Sequence, residues 1–109
     1  METHLLEHFL RTCREVGLWL IERLPYVNTS KECTQNAGIY FIFQYGELVY
    51  IGKSICMKNR LNSHRSTFGV WNSDRTSVKI LSVDLGKDIE ALESIFIGLF
   101  TPKYNRAKR

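Results

Sequence analysis

The sequence predicts an α+β domain: a small three-stranded antiparallel sheet flanked by helices, with an added N-terminal helix. Three observations carry that prediction. Two apolar runs, Gly38 to Phe43 and Glu47 to Ile51, are separated by a short polar turn containing Gly46, the pattern of a β-hairpin. Val78 to Val83 forms a third apolar run of strand length. Before and after these runs, apolar residues recur at three- and four-residue steps, the period of a helix packed on one side.

The first helix is read over 3–24, with Leu5, Leu6, Phe9, Leu10, Cys13, Val16, Leu20 and Leu24 as its stripe and Thr3 as a candidate N-cap. Pro25 ends it, because the residue before a proline disfavours the helical region. Trp19 and Ile21 widen the stripe beyond one packing face, so this helix is expected either to cover the sheet or to form a homodimer contact. Residues 25–36 read as a polar loop, which separates an N-terminal unit (1–36) from the main domain (37–109). Two strands joined by a tight turn must be antiparallel. A helix is expected over 54–66 with Ser54 as its N-cap, then a loop over 68–77, the third strand, and a last helix over 87–100 that stops before Pro102. Asp84 and Asp88 read as caps near its start, where acids favour the helix dipole. The remaining residues read as a basic tail.

At 109 residues with 44% apolar content, the chain is sized for one core. Its net charge of +4 suits a polyanionic partner, a signal shared by many proteins without one. Cys13, Cys33 and Cys56 form neither a CxxC pair nor a Cys/His cluster, which argues against zinc and for free thiols in a reducing compartment. No apolar run approaches the ~20 residues of a membrane span, and the N-terminus lacks a basic signal-peptide region. A cytoplasmic location is the expectation.

The chemistry is concentrated around the hairpin. With a three-residue loop, Gln44-Tyr45-Gly46, Tyr40 falls directly opposite Tyr50 on one face; a two-residue loop, Tyr45-Gly46, shifts the pairing by one. A basic stretch follows. Arg60 and His64 lie four apart on one helical face, where a guanidinium can hold two phosphate oxygens and an imidazole can donate to the same group. Lys53 precedes the helix N-terminus, itself a favourable place for an anion. Lys58 and Arg65 read as solvated charges or phosphate contacts. Glu93 lies among Ile89, Phe96 and Ile97 on the last helix. A carboxylate in such surroundings needs a cation or donors, and either a metal ion or Arg60 would serve. Glu90 shares a flank with Lys87 and reads as an ordinary solvated acid.

The ordered set Gly38-Ile39-Tyr40, Tyr50-Ile51-Gly52-Lys53, Arg60, His64, Glu93 and Pro102-Lys103-Tyr104-Asn105 resembles the GIY-YIG nuclease superfamily from about residue 38 to residue 105. Its motifs look most like the incision domain of the nucleotide-excision-repair nuclease subunit and small standalone members. The resemblance implies a metal-dependent endonuclease that hydrolyses phosphodiester bonds in DNA. Tyr40 or Tyr50 would help activate water, assisted by Lys53, since a phenol with a pKa of about 10 is a poor base at neutral pH. Glu93 would hold Mg²⁺ or Mn²⁺, and Arg60 would grip the scissile phosphate and stabilise its transition-state charge. His64 would join the catalytic set. Asn105 would orient the site or a neighbouring phosphate, and Arg106, Lys108 and Arg109 would add backbone-phosphate contacts. No separate DNA-reading module is expected, so affinity would come from phosphates and nucleic-acid shape, with structure-guided or single-strand cutting. The alternatives are a non-catalytic nucleic-acid-binding subunit and an RNA-cutting nuclease.

Overall fold

A computed structural model describes residues 2–26, 37–54, 76–83 and 88–106, with the side chains of Glu2 and Arg106 outside the description. Six elements fall in these stretches: α1 (Glu2–Arg23), β1 (Gly38–Gln44), β2 (Glu47–Ser54), β3 (Thr76–Ser82), α2 (Ile89–Phe100) and the short α3 (Lys103–Arg106). The expected helix over 54–66 lies outside the described residues, apart from Ser54, which closes β2. The third strand begins at Thr76, two residues inside the segment read as a loop, because Thr76 pairs with Gln44 and Ser77 with Phe43.

β1 is the central strand of a three-stranded sheet ordered β2-β1-β3, antiparallel on both sides. The hairpin turn is the two-residue form, with Gln44 opposite Glu47 and both Tyr45 (φ 52°) and Gly46 (φ 81°) left-handed. Positive φ at both central positions is the signature of a type I′ turn, whose twist matches that of paired strands. The register then slips between Ile42 and Phe43: Phe43 faces Leu48, yet Ile42 faces Tyr50. Val49 is the extra residue of a β-bulge, and it shares the buried Tyr50 cluster with Tyr40, Ile42 and Val78. The direct pairing of Tyr40 with Tyr50 is therefore corrected. Tyr40 faces Gly52, and the bulge returns Tyr50 to the Tyr40 side as a diagonal neighbour.

The other side of the sheet carries Ile39, Phe41 and Ile51, packed with Ile21 of α1 and Phe96 of α2. Phe96 meets Phe41 edge-on at 5.2 Å between ring centres and stacks on Phe100 at 6.4 Å. α1 crosses α2 where Gly17 lets Phe100 approach; a Cβ there would sit 2.9 Å from the Phe100 ring. The two helices also cap each other's surroundings. Arg14 Nε donates to the Leu99 carbonyl at 3.0 Å, meeting one of the carbonyls a helix end leaves unpaired. The buried Lys79 ammonium donates to the carbonyls of Ile21 (3.0 Å) and Glu22 (3.1 Å) at the end of α1, with the Tyr26 ring 4.5 Å away. A buried cation is thus placed against the negative end of a helix, which compensates its desolvation.

α1 is covered only along the Gly17–Ile21 side of its C-terminal half. Ile21 is buried and Leu20 and Leu24 are partly so, while Leu5, Leu6, Phe9, Val16 and Trp19 stay exposed. Of the two expectations for this stripe, covering the sheet is met only over that end of the helix. α1 runs 22 residues and α2 only 12, so α1 overhangs what it packs on. The tail expectation also changes, since 103–106 form a helical turn and Asn105 is buried. Asp88 occupies the N-cap of α2 in the left-handed region with no side-chain cap hydrogen bond; its carbonyl accepts from the Leu92 N–H at 2.8 Å.

Candidate active site

The site is built around the last residues of β2. Strand alternation puts Ile51 and Lys53 on the α2 side of the sheet, with Tyr50 on the other. From there the Lys53 ammonium reaches α2, donating to Glu90 Oε1 at 2.8 Å and lying 3.9 Å from Glu93 Oε1. The two carboxylates are one helical turn apart, so a single cation can address both. Glu93 is largely shielded, at 20% side-chain exposure, whereas Glu90 is at 82%. The hydrogen bond from Lys53 holds the Glu90 carboxyl below its ordinary range, and the same bond, with the charges of Glu90 and Glu93, raises Lys53. Glu90 was read from sequence as an ordinary solvated acid. The signal that identifies it is its i,i+3 spacing from Glu93 on a helix facing a strand-end lysine.

On the opposite side of the sheet, Tyr40 is fully buried and Tyr50 nearly so, with ring centres 6.1 Å apart and planes tilted by 35°. Gly52 links the two sides. Tyr40 lies across it, and a Cβ at Gly52 would overlap Tyr40 Cζ and Oη. The missing side chain lets the phenol reach the strand segment that carries Lys53. The tyrosines and the Lys53–Glu93 pair therefore approach the same stretch of β2 from two sides, rather than sharing one.

Asn105 holds that strand in place. β2 is an edge strand, and Ile51 presents a buried N–H and carbonyl to its open side. The Ile51 N–H donates to Asn105 Oδ1, and Asn105 Nδ2 donates to the Ile51 carbonyl, each at 2.8 Å. The amide thus stands in for a neighbouring strand midway between Tyr50 and Gly52. These bonds fix the strand that carries Tyr50, Gly52 and Lys53. Lys103 and exposed Tyr104 flank it, with the ammonium 5.2 Å from the ring.

Lys58, Arg60, His64, Arg65, Lys108 and Arg109 lie outside the described residues. Among the described residues no group of three or more His, Cys, Asp or Glu side chains could ligate a metal ion together. A divalent ion here would rely on the hard carboxylate oxygens of Glu93, with water and phosphate completing its shell. One carboxylate with waters is a sparse shell for a divalent cation. No helix among the described residues is long and apolar enough to cross a membrane.

No family model and no curated protein matches the chain by sequence. Solved structures do. Crystal structures of the GIY-YIG N-terminal endonuclease domain of UvrC from Thermotoga maritima align over 66% of this chain and 84% of theirs. Two tyrosine-to-phenylalanine mutants align at TM-score 0.53 with 25% and 23% identity. An asparagine-to-alanine mutant aligns at 0.55 with 25% identity. All three are bound to the catalytic divalent cation of that enzyme.

Proposed function

We propose, from the chain's relationship to the GIY-YIG superfamily, that it is a divalent-metal-dependent endonuclease that hydrolyses phosphodiester bonds in DNA. The observation that carries the reading is the convergence of Lys53, at the end of the strand bearing Tyr50-Ile51-Gly52, on the shielded Glu93 of α2. Likeness to the UvrC endonuclease domain supports a nuclease; Mg²⁺ or Mn²⁺, the choice of DNA and a role in DNA repair are our extension of it.

Glu93 would hold the cation, which when bound supplies positive charge to the phosphate and the leaving oxygen. The chain's own residues do the rest. Lys53, held by Glu90, gives a fixed positive charge beside the phosphate position. Tyr40 and Tyr50 offer hydroxyls that can orient the attacking water and pass on its proton, directly or through a second group. Arg60 and His64 complete the charge on the phosphate. Asn105 keeps β2 in register, so Gly52 and Lys53 stay where Tyr40 and α2 meet them. Lys58, Arg65, Arg106, Lys108 and Arg109 add sequence-independent phosphate contacts. Unpaired Cys13 suits a reducing cytoplasm. A second copy of the chain, paired through the N-terminal helix, is a further proposed partner.

Matched DNA and RNA oligonucleotides, single- and double-stranded, incubated with Mg²⁺ or Mn²⁺ and then with chelator, test the proposal. Chelator-sensitive cutting of DNA is expected. Cutting of RNA alone would move the chain to RNA processing. Tight binding without cleavage of any substrate would make it a non-catalytic nucleic-acid-binding subunit.

A further inference from the structure

Glu90 is not among the residues that carry the GIY-YIG resemblance, yet it takes the hydrogen bond of Lys53. The ammonium faces two carboxylates one helical turn apart and bonds the outer one. It lies 2.8 Å from Glu90 Oε1 and 3.9 Å from Glu93 Oε1. Attraction alone would favour the other choice. Glu93 is 20% exposed and Glu90 82%, and opposite charges attract more strongly where water is excluded. Asn105 fixes β2 at Ile51, two residues before Lys53. The flexible stem of the lysine, rather than its backbone, therefore decides between the two acids. With Glu90 in place, the stem carries the ammonium to the solvent side of the pair.

We propose, on the reading that Glu93 holds the divalent cation, that Glu90 sets how tightly that cation binds: by holding the Lys53 ammonium, it keeps the lysine from settling on the Glu93 carboxylate. An ammonium and a divalent cation both seek carboxylate oxygens, so at a single carboxylate they compete. On Glu90, the ammonium stays near enough to Glu93 to lend its charge to a phosphate bound there. It is also too far from Glu93 Oε1 for a hydrogen bond, which needs about 2.7–3.2 Å. On Glu93, the ammonium would take an oxygen that the cation uses. Because one carboxylate with waters is a sparse shell, that loss would be felt in the affinity. Glu90 is thus a positioning residue, acting on the cation through Lys53.

Mn²⁺ binding to the full chain, read from the electron paramagnetic resonance of free Mn²⁺, tests this in the wild type, Glu90→Gln, Lys53→Met and the double variant. Wild-type binding that Glu93→Gln abolishes is the mark of the Glu93 reading; without it, that reading and the role of Glu90 fall together. Given that binding, Glu90→Gln is expected to weaken Mn²⁺ by about two- to fivefold, the range of an exposed ion pair. In the Lys53→Met background the same substitution is expected to change nothing. Such non-additivity is the signature of a competitor removed. Equal weakening with and without Lys53 would make Glu90 a ligand or merely a nearby negative charge, and would overturn the proposal while leaving Glu93 in place. So would wild-type affinity in Glu90→Gln. Far-UV circular dichroism is expected to be unchanged in Glu90→Gln, since Glu90 is 82% exposed.

Discussion

Lys53 is the residue on which the site turns, and its partners decide what it can do. Its ammonium bonds Glu90 and lies near Glu93, so the strand-end charge is held against α2 rather than swinging in solvent. Glu90 is lowered and Lys53 raised by that bond. The sign follows for each. The Glu90 contribution is present above its ordinary value of 4.5 and is lost as the pH falls through its lowered value; that of Lys53 is present below 10.5 and is lost as the pH rises through its raised value. The pair is therefore intact across the neutral range. An NMR titration of the Glu90 carboxylate is expected to give a midpoint below 4.5 in the wild type and a return towards it in Lys53→Met. An ordinary midpoint in the wild type would mean that the pair does not persist in solution. Glu93 was legible in the sequence because a carboxylate among Ile89, Phe96 and Ile97 needs a partner. That Lys53 approaches it was not, because 39 intervening residues hide a contact made only when β2 packs on α2.

At the scale of elements, the hairpin shows how local chemistry and register interact. Residues 44–46 allow a three-residue or a two-residue loop, and only the first sets Tyr40 directly opposite Tyr50. The structure takes the second, with Tyr45 at positive φ, a conformation uncommon for a bulky side chain. A bulge at Val49 then undoes the shift. Bulges have no simple signature in a single strand, so the shared face was readable and the route to it was not. Gly52→Ala places a Cβ against the fully buried Tyr40 ring. It is expected to cost about 1–3 kcal/mol in urea unfolding, as overpacking does, and to reduce cleavage; wild-type stability would show that the ring can move aside. Asn105→Ala removes the partner of the buried Ile51 N–H and carbonyl. A loss of about 1–3 kcal/mol is expected by the same measurement. Hydrogen exchange at the Ile51 amide should accelerate with it; unchanged exchange would remove Asn105 as the strand's edge partner. The sequence marked Asn105 through its motif alone, since the role depends on β2 being an edge strand.

For the whole molecule, the α+β class and the order of the described elements followed from apolar runs of strand length about a polar turn and from the three- and four-residue periodicity of the helices. What periodicity could not say is which apolar positions find a partner. The stripe of α1 reads the same from Leu5 to Leu24, yet it is covered only where α2 and the sheet reach it. The proposed function places the metal-dependent chemistry of this sheet and α2 at Glu93. The most direct test is cleavage of plasmid DNA with Mg²⁺ or Mn²⁺ by the wild type and by Glu93→Gln, which removes a charge and keeps the shape, alongside DNA binding by both. Chelator-sensitive nicking by the wild type, its loss in Glu93→Gln, and nearly equal DNA binding by the two are expected. Full cleavage by Glu93→Gln would contradict that placement.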